Sequence, residues 1–154
     1  MAAEKPAPGG EPGWITVEET RTGRFAVRLS DGRHDLFADE PAAVGGSDLG
    51  PGPYELLLMA LGACKSMTVR LYAERKQWPL ERVSVRLRHD RIHAADCADC
   101  ETKEGMLDRI ECVLDFAGAL DADQRARLLD IAGKCPVHRT LTSEISIQSR
   151  LQQG

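Results

Sequence analysis

The sequence predicts an α+β domain in which helices collect against a mostly antiparallel sheet. Three observations lead there. A long apolar stretch without an internal proline, residues 53–76, reads as a central helix. Short alternating segments on both sides of it read as strands joined by turns. A second helix with its own start signal then separates the last strand from the rest. The order is strands, long helix, two strands, helix, strand.

The central stretch, PYELLLMALGACKSMTVRLYAERK, opens with Pro53, a residue suited to the first turn of a helix. Leu56, Leu57, Leu58, Met59, Ala60, Leu61 and Ala63 make its first half apolar on every side. A helix with that pattern is expected to be buried and wrapped by other elements. Arg70, Glu74, Arg75 and Lys76 turn the second half amphipathic, and Pro79 follows its end. Gly62 in mid-helix costs about 1 kcal/mol against alanine, which predicts a close neighbour at that backbone. Cys64 lies in the middle.

Residues 1–13 are rich in proline and glycine and read as a flexible tail ahead of a single domain over residues 14–154. Trp14–Thr20 is a strand candidate. Arg24–Leu29 and Arg33–Ala38 form a hairpin candidate around Ser30-Asp31-Gly32. Asp39–Gly52, with Pro41, Gly45, Gly46, Gly50 and Pro51, is a loop that delivers the chain to the helix.

Beyond Pro79, Val83, Val85, Leu87 and His89 alternate with polar residues, as do Ile110, Cys112, Leu114 and Phe116. These two strands, joined through the polar loop His93–Gly105, most simply pair antiparallel. The arginines of Arg86–Arg91 read as a solvated face. Asp121 and Gln124 match a capping box for a second helix ended by Gly133, with Ala126, Leu128, Leu129 and Ala132 as its apolar side. After the turn CPVHRTLT, Ile145, Ile147 and Leu151 suggest a last strand.

Composition narrows the function. A net charge of -4 disfavours nucleic acid as the main partner. No apolar run is expected to approach the roughly 20 residues of a membrane span, and the N-terminus lacks the features of a secretion signal. Five cysteines and no export signal point to a reducing, cytoplasmic setting. Aromatic residues are 5% of the chain, so aliphatic side chains must carry the core.

The chemistry therefore falls to the thiols. Cys64 on the central helix is either core filler or a reactive group. Cys135 precedes Pro136, a good first residue for a helix, which makes the cysteine its N-cap. Unpaired backbone N–H groups there, with Lys134 and His138 beside them, are expected to lower its pKa. Two such thiols suit a redox cycle in which one is oxidised to a sulfenic acid and the other resolves it. Cys97 and Cys100 form a C-x-x-C in a loop, open to a metal or a local disulfide, and Cys112 reads as inert core.

The segment GPGPYELLLMALGACKSMTVRLYAERKQWPL, followed later by KCPVHRTL, resembles the OsmC/Ohr family of organic-hydroperoxide-reducing proteins. The likeness covers roughly residues 24–151 and is nearest the OsmC-like branch whose loop reads HAADCADCE. It implies an intertwined homodimer with active sites at the subunit interface, each built on a long central helix. It also implies that Cys64 is the peroxidatic thiolate and Cys135 its resolving partner. In that family an arginine from an N-terminal strand and a glutamate near the helix start polarise the sulfur. Arg24 is the choice here, with Arg21 and Arg33 behind it. The usual glutamate position falls on Tyr54, and Glu55 stands one residue, about 100° of helix, further on.

The activity implied is a thiol-dependent peroxidase acting on a small organic hydroperoxide and recycled by an external dithiol, with no metal or organic cofactor. Mid-helix Cys64 gains nothing from a helix terminus, so the arginine is expected to supply most of its activation. Leu57, Leu58 and Leu61 would favour an organic peroxide. The competing expectation is a non-catalytic dimeric module, responsive to thiols or metals through Cys97 and Cys100.

Overall fold

A computed structural model describes residues 13–152. The expected tail at residues 1–13 lies, apart from Gly13, outside them. The chain forms two compact units divided between Leu56 and Leu57.

The first unit carries an antiparallel sheet of β1 (Thr16–Glu19), β2 (Val27–Ser30) and β3 (Asp35–Ala38), in that order. Strands β1 and β3 fall inside the stretches expected from sequence but are shorter, while β2 starts later than expected and runs one residue further, to Ser30. Arg24 stands in the bend before β2 rather than in the strand. Asp31 explains why the β2–β3 turn forms: its carboxylate accepts from the backbone N–H groups of Arg33 and His34 at 2.8 and 2.6 Å. The His34 ring lies 2.9 Å from the other oxygen. These bonds, with that to the His34 side chain foremost, hold the Asp31 carboxyl far below its ordinary range.

The following loop is organised by buried Asp39, 3% exposed. Burial alone would raise its pKa, yet N–H donors from Glu40, Leu49 and Ser47 outweigh it and the net direction is down. A Cβ at Gly46 would collide with the Glu40 carbonyl, so the closure of this loop requires glycine there. Within the loop Ala42–Val44 makes one 3-10 turn.

Helix α1 (Pro53–Arg75) begins at the expected proline and runs 23 residues into the second unit. That unit contains β4 (Arg82–His93), β5 (Met106–Ala117), α2 (Ala122–Ala132) and α3 (Pro136–Leu141). Strands β4 and β5 pair antiparallel along their whole length, from Arg82 opposite Ala117 to His93 opposite Met106. Their outer faces carry ion pairs: Arg88 bonds Glu111 directly opposite, and Arg109 bonds Asp90 opposite it at 3.3 Å. Of the arginines read as a solvated face, Arg88 and Arg91 meet acids directly opposite, whereas Arg86 stands opposite Val113.

Leu128 of α2, fully buried, packs with Val69 and Ala73 of α1, Leu80, Phe116 and Ala132. Tyr72, Trp78, Val83, Leu114 and Leu120 surround that core. The Arg70 guanidinium ties α1 to the start of β4, donating to the Leu80 and Glu81 carbonyls at 2.6 and 3.0 Å. Asp121 and Gln124 form the complete capping box expected for α2. The inward face of α2 differs from the expected one. Ile131 is buried with Leu128 and Ala132, whereas Leu129 and Ala126 point outward.

Three further expectations need correction. The central helix is not wrapped on all sides. Leu61, Gly62, Lys65, Val69 and Ala73 are buried, while Met59, Met67 and Leu71 are 57%, 70% and 49% exposed. One helix pair and a two-stranded ribbon cannot cover both faces of so apolar a helix. Helix α1 is also long and apolar enough to cross a membrane by length and composition, contrary to the reading of its sequence. Its Lys65 and Arg70 are nevertheless bonded to protein acceptors. Last, residues 144–152 form no strand, and Ile147 and Leu151 are 86% and 93% exposed. An alternating segment becomes a strand only when a sheet edge satisfies its backbone, and no ladder pairing reaches it among the described residues.

Candidate active site

Two thiols meet where α1 approaches the start of α3. Cys64 projects from the middle of α1, half-buried, and its Sγ accepts from the Val137 backbone N–H at 3.5 Å. Cys135 is the N-cap of α3, as expected, with Pro136 behind it; its Sγ accepts from the His138 N–H at 3.4 Å. The two thiols are neighbours, and Cys64 adds to the upward push on Cys135.

The expected lowering of the Cys135 pKa is not met. Cys135 is completely buried, and burial pushes its thiol up more than the His138 N–H and the nearby Lys65 charge pull it down. The neighbours assumed to assist behave differently too. Lys134 bonds Asp130 at 2.8 Å. His138 is driven toward its neutral form, by burial first and then by the Lys65 charge.

Lys65 is the residue that sequence reasoning missed. It is 4% exposed. Its Nζ donates to the Ala132 carbonyl at 3.0 Å and lies 3.0 Å from His138 Nδ1. A signal was present: Leu61, Lys65, Val69 and Ala73 recur every fourth position, so the lysine sits in an otherwise apolar buried stripe.

The other two expected site residues belong to the first unit. Glu55 Oε2 accepts from the Gly52 N–H at 2.8 Å, so its carboxylate caps the helix it stands on. The Arg24 guanidinium lies over the Phe25 ring, 4.8 Å from its centroid. Among the described residues no ion pair joins Arg24 to Glu55. Tyr54 is exposed on the first turn.

The sequence profile of the OsmC-like proteins matches residues 45–150, which takes in both thiols and most of the elements around them. The chain belongs to the OsmC family. No curated protein matches it. Solved structures share the OsmC fold. A Legionella pneumophila protein described as an organic hydroperoxide resistance protein OsmC is 22% identical; the match covers 84% of this chain and 88% of that one, with a TM-score of 0.59. The organic hydroperoxide resistance protein OhrB of Bacillus subtilis is 19% identical over 84% and 89%, with a TM-score of 0.56. An OsmC-like protein from Mycoplasma pneumoniae is 20% identical over 82% and 84%, with a TM-score of 0.63. At these identities the likeness is one of fold.

The remaining cysteines of this OsmC chain make no hydrogen bond to the pair among the described residues. Cys97 and Cys100 are joined as a disulfide in the β4–β5 loop, their Cα atoms 5.5 Å apart. Among the described residues no group of three His, Cys, Asp or Glu is arranged to hold a metal. Cys112 faces inward on β5, and burial raises its pKa.

Proposed function

We propose that this OsmC-family chain is a thiol-dependent peroxidase that reduces organic hydroperoxides through Cys64 and Cys135. The observation that carries the reading is a pair of thiols held by successive backbone N–H groups, Val137 on Cys64 and His138 on Cys135, one sulfur half-exposed and the other buried. The accessible Cys64 thiolate attacks the distal oxygen of the hydroperoxide. The O–O bond breaks, the alkoxide takes a proton and leaves as an alcohol, and Cys64 becomes a sulfenic acid. The Cys135 sulfur then attacks the Cys64 sulfur, displacing water and forming a disulfide. An external dithiol, itself oxidised to a disulfide, returns both thiols by exchange. Apolar Leu57, Leu58 and Leu61 favour an alkyl substituent on the peroxide, and Arg24 is the proposed cationic partner of the thiolate.

The working form is proposed to be a homodimer, cytoplasmic, with its sites at the interface. Exposed Met59, Met67 and Leu71 on α1 support a covering partner, since apolar patches of this kind mark interaction surfaces. Stopped-flow reduction of cumene hydroperoxide with a dithiol tests the activity. Turnover by the wild type and none by Cys64→Ser is expected; equal rates would refute the assignment. The second reading, a thiol-responsive binding module, draws on the Cys97–Cys100 disulfide. It predicts the reverse dependence, with loss on Cys97→Ser and none on Cys64→Ser.

A further inference from the structure

Lys65 is a buried cation for which the peroxidase cycle, as written, has no use. Its two acceptors are a backbone carbonyl and an imidazole, both neutral. No carboxylate forms an ion pair with it among the described residues. An ammonium in that position has given up water without gaining an opposite charge. The groups around it that can become anions are thiols. Cys64 is its neighbour in sequence, and its field acts on both Cys135 and Cys112.

The hydrogen bonds connect the cation to the sulfurs through one short segment. The His138 ring meets Lys65 Nζ, while the His138 backbone N–H donates to Cys135 Sγ. The adjacent Val137 N–H donates to Cys64 Sγ. Lys65 therefore anchors the first turn of α3, which carries the donors for both thiols, against α1 and the end of α2. The titratable groups around it are His138, bonded to it from α3, and the thiols of Cys135 at the α3 cap and Cys112 on β5, on which its charge acts; Cys64 stands next to it on α1.

We propose that Lys65 is a positioning residue, the built-in counter-charge for the thiolate of the Cys64–Cys135 pair. This rests on the reading of that pair as the redox couple. When a thiolate forms beside Lys65, two buried charges neutralise each other. When the pair closes to a disulfide, the cation again stands alone. The lysine thus favours the reduced, ionised state, which makes the thiol more available at neutral pH and the disulfide easier for a dithiol to open.

The test follows alkylation of the Cys64 and Cys135 peptides by iodoacetamide against pH, read by mass spectrometry, in wild type, Lys65→Met, Lys65→Gln and Lys65→Arg. The midpoint belongs to the pair rather than to either sulfur. Losing an opposite charge at this range should raise it by about one unit or more, and slow alkylation at neutral pH about tenfold. Lys65→Arg should restore it. Glutamine still donates to the Ala132 carbonyl, so it keeps the comparison open if methionine prevents folding. Folded neutral variants that titrate like the wild type would overturn the proposal. The assay contains no peroxide, so it separates the two ideas. A Lys65-dependent midpoint without cumene hydroperoxide turnover removes the peroxidase and keeps the counter-charge. An active peroxidase whose midpoint ignores Lys65 does the reverse.

Discussion

Gly62 lies two residues before Cys64, and a Cβ built on it would stand 2.8 Å from Leu87 Cδ1 on β4. Two effects compete when it is replaced by alanine. Helix propensity favours alanine by about 1 kcal/mol. Against that, ordinary carbon contacts are about 3.5–4.0 Å, so the Leu87 methyl must withdraw by several tenths of an ångström or more. That methyl is the end of a flexible, half-buried side chain, and turning it off its rotamer costs about 0.5–1.5 kcal/mol. The two nearly cancel, and Gly62→Ala should stay within about 0.5 kcal/mol of wild type. Gly62→Val forfeits most of the propensity gain and inserts two further carbons against β4, so it should lose about 1–3 kcal/mol. Urea unfolding followed by circular dichroism reads this directly. With a slope of about 1–3 kcal/mol per molar urea, the valine variant should unfold at least about a third of a molar earlier, and further than the alanine variant. A valine variant as stable as wild type would refute the idea that Leu87 seals the helix backbone.

Leu128→Ala removes the most enclosed aliphatic side chain of the core and should cost about 2–5 kcal/mol in urea unfolding; a loss below about 1 kcal/mol would mean the Val69–Phe116 core is not the main one. Stability should fall above about pH 8.5, because burial raises the folded-state pKa of Cys135 and Cys112 and the unfolded chain releases those protons first. Cys135→Ala should flatten that alkaline limb, and an unchanged limb would count against the buried neutral thiol. On the acid side His138 acts oppositely. Its folded-state pKa is lowered, so below about pH 6.5 the unfolded chain binds the proton first and stability drops; the same loss in His138→Gln would remove this cause. Peptide mapping after mild peroxide treatment should find a Cys64–Cys135 disulfide, and oxidation confined to Cys97 and Cys100 would break the proposed cycle. Light scattering at micromolar concentration should give a dimer, and a monomer would leave the exposed face of α1 unexplained.

Local rules carried much of the fold. Pro53 and Pro79 bracket α1 because proline suits a first turn and cannot continue a helix. Asp121 and Gln124 close a capping box within four residues of chain, and alternation on β4 and β5 sets both their pairing and which side faces inward. Gly62 announced a close contact because mid-helix glycine is costly without one. Cys135 was legible as an N-cap from Pro136 alone. What depended on distant parts of the chain was not legible. Burial outweighed the helix cap at Cys135, reversing the direction of its pKa, because desolvation is set by what α1 and α2 pack around it. Glu55 spends its carboxylate on the Gly52 N–H, a choice no pattern of charges records. The alternation at Ile145 and Ile147 promised a strand, but alternation does not supply the edge a strand must pair with. Lys65 was hidden for the same reason in reverse. Sequence places a lysine on a helix, and only the closing of α2 and α3 over that face turns it into a buried charge bonded to Ala132 and His138.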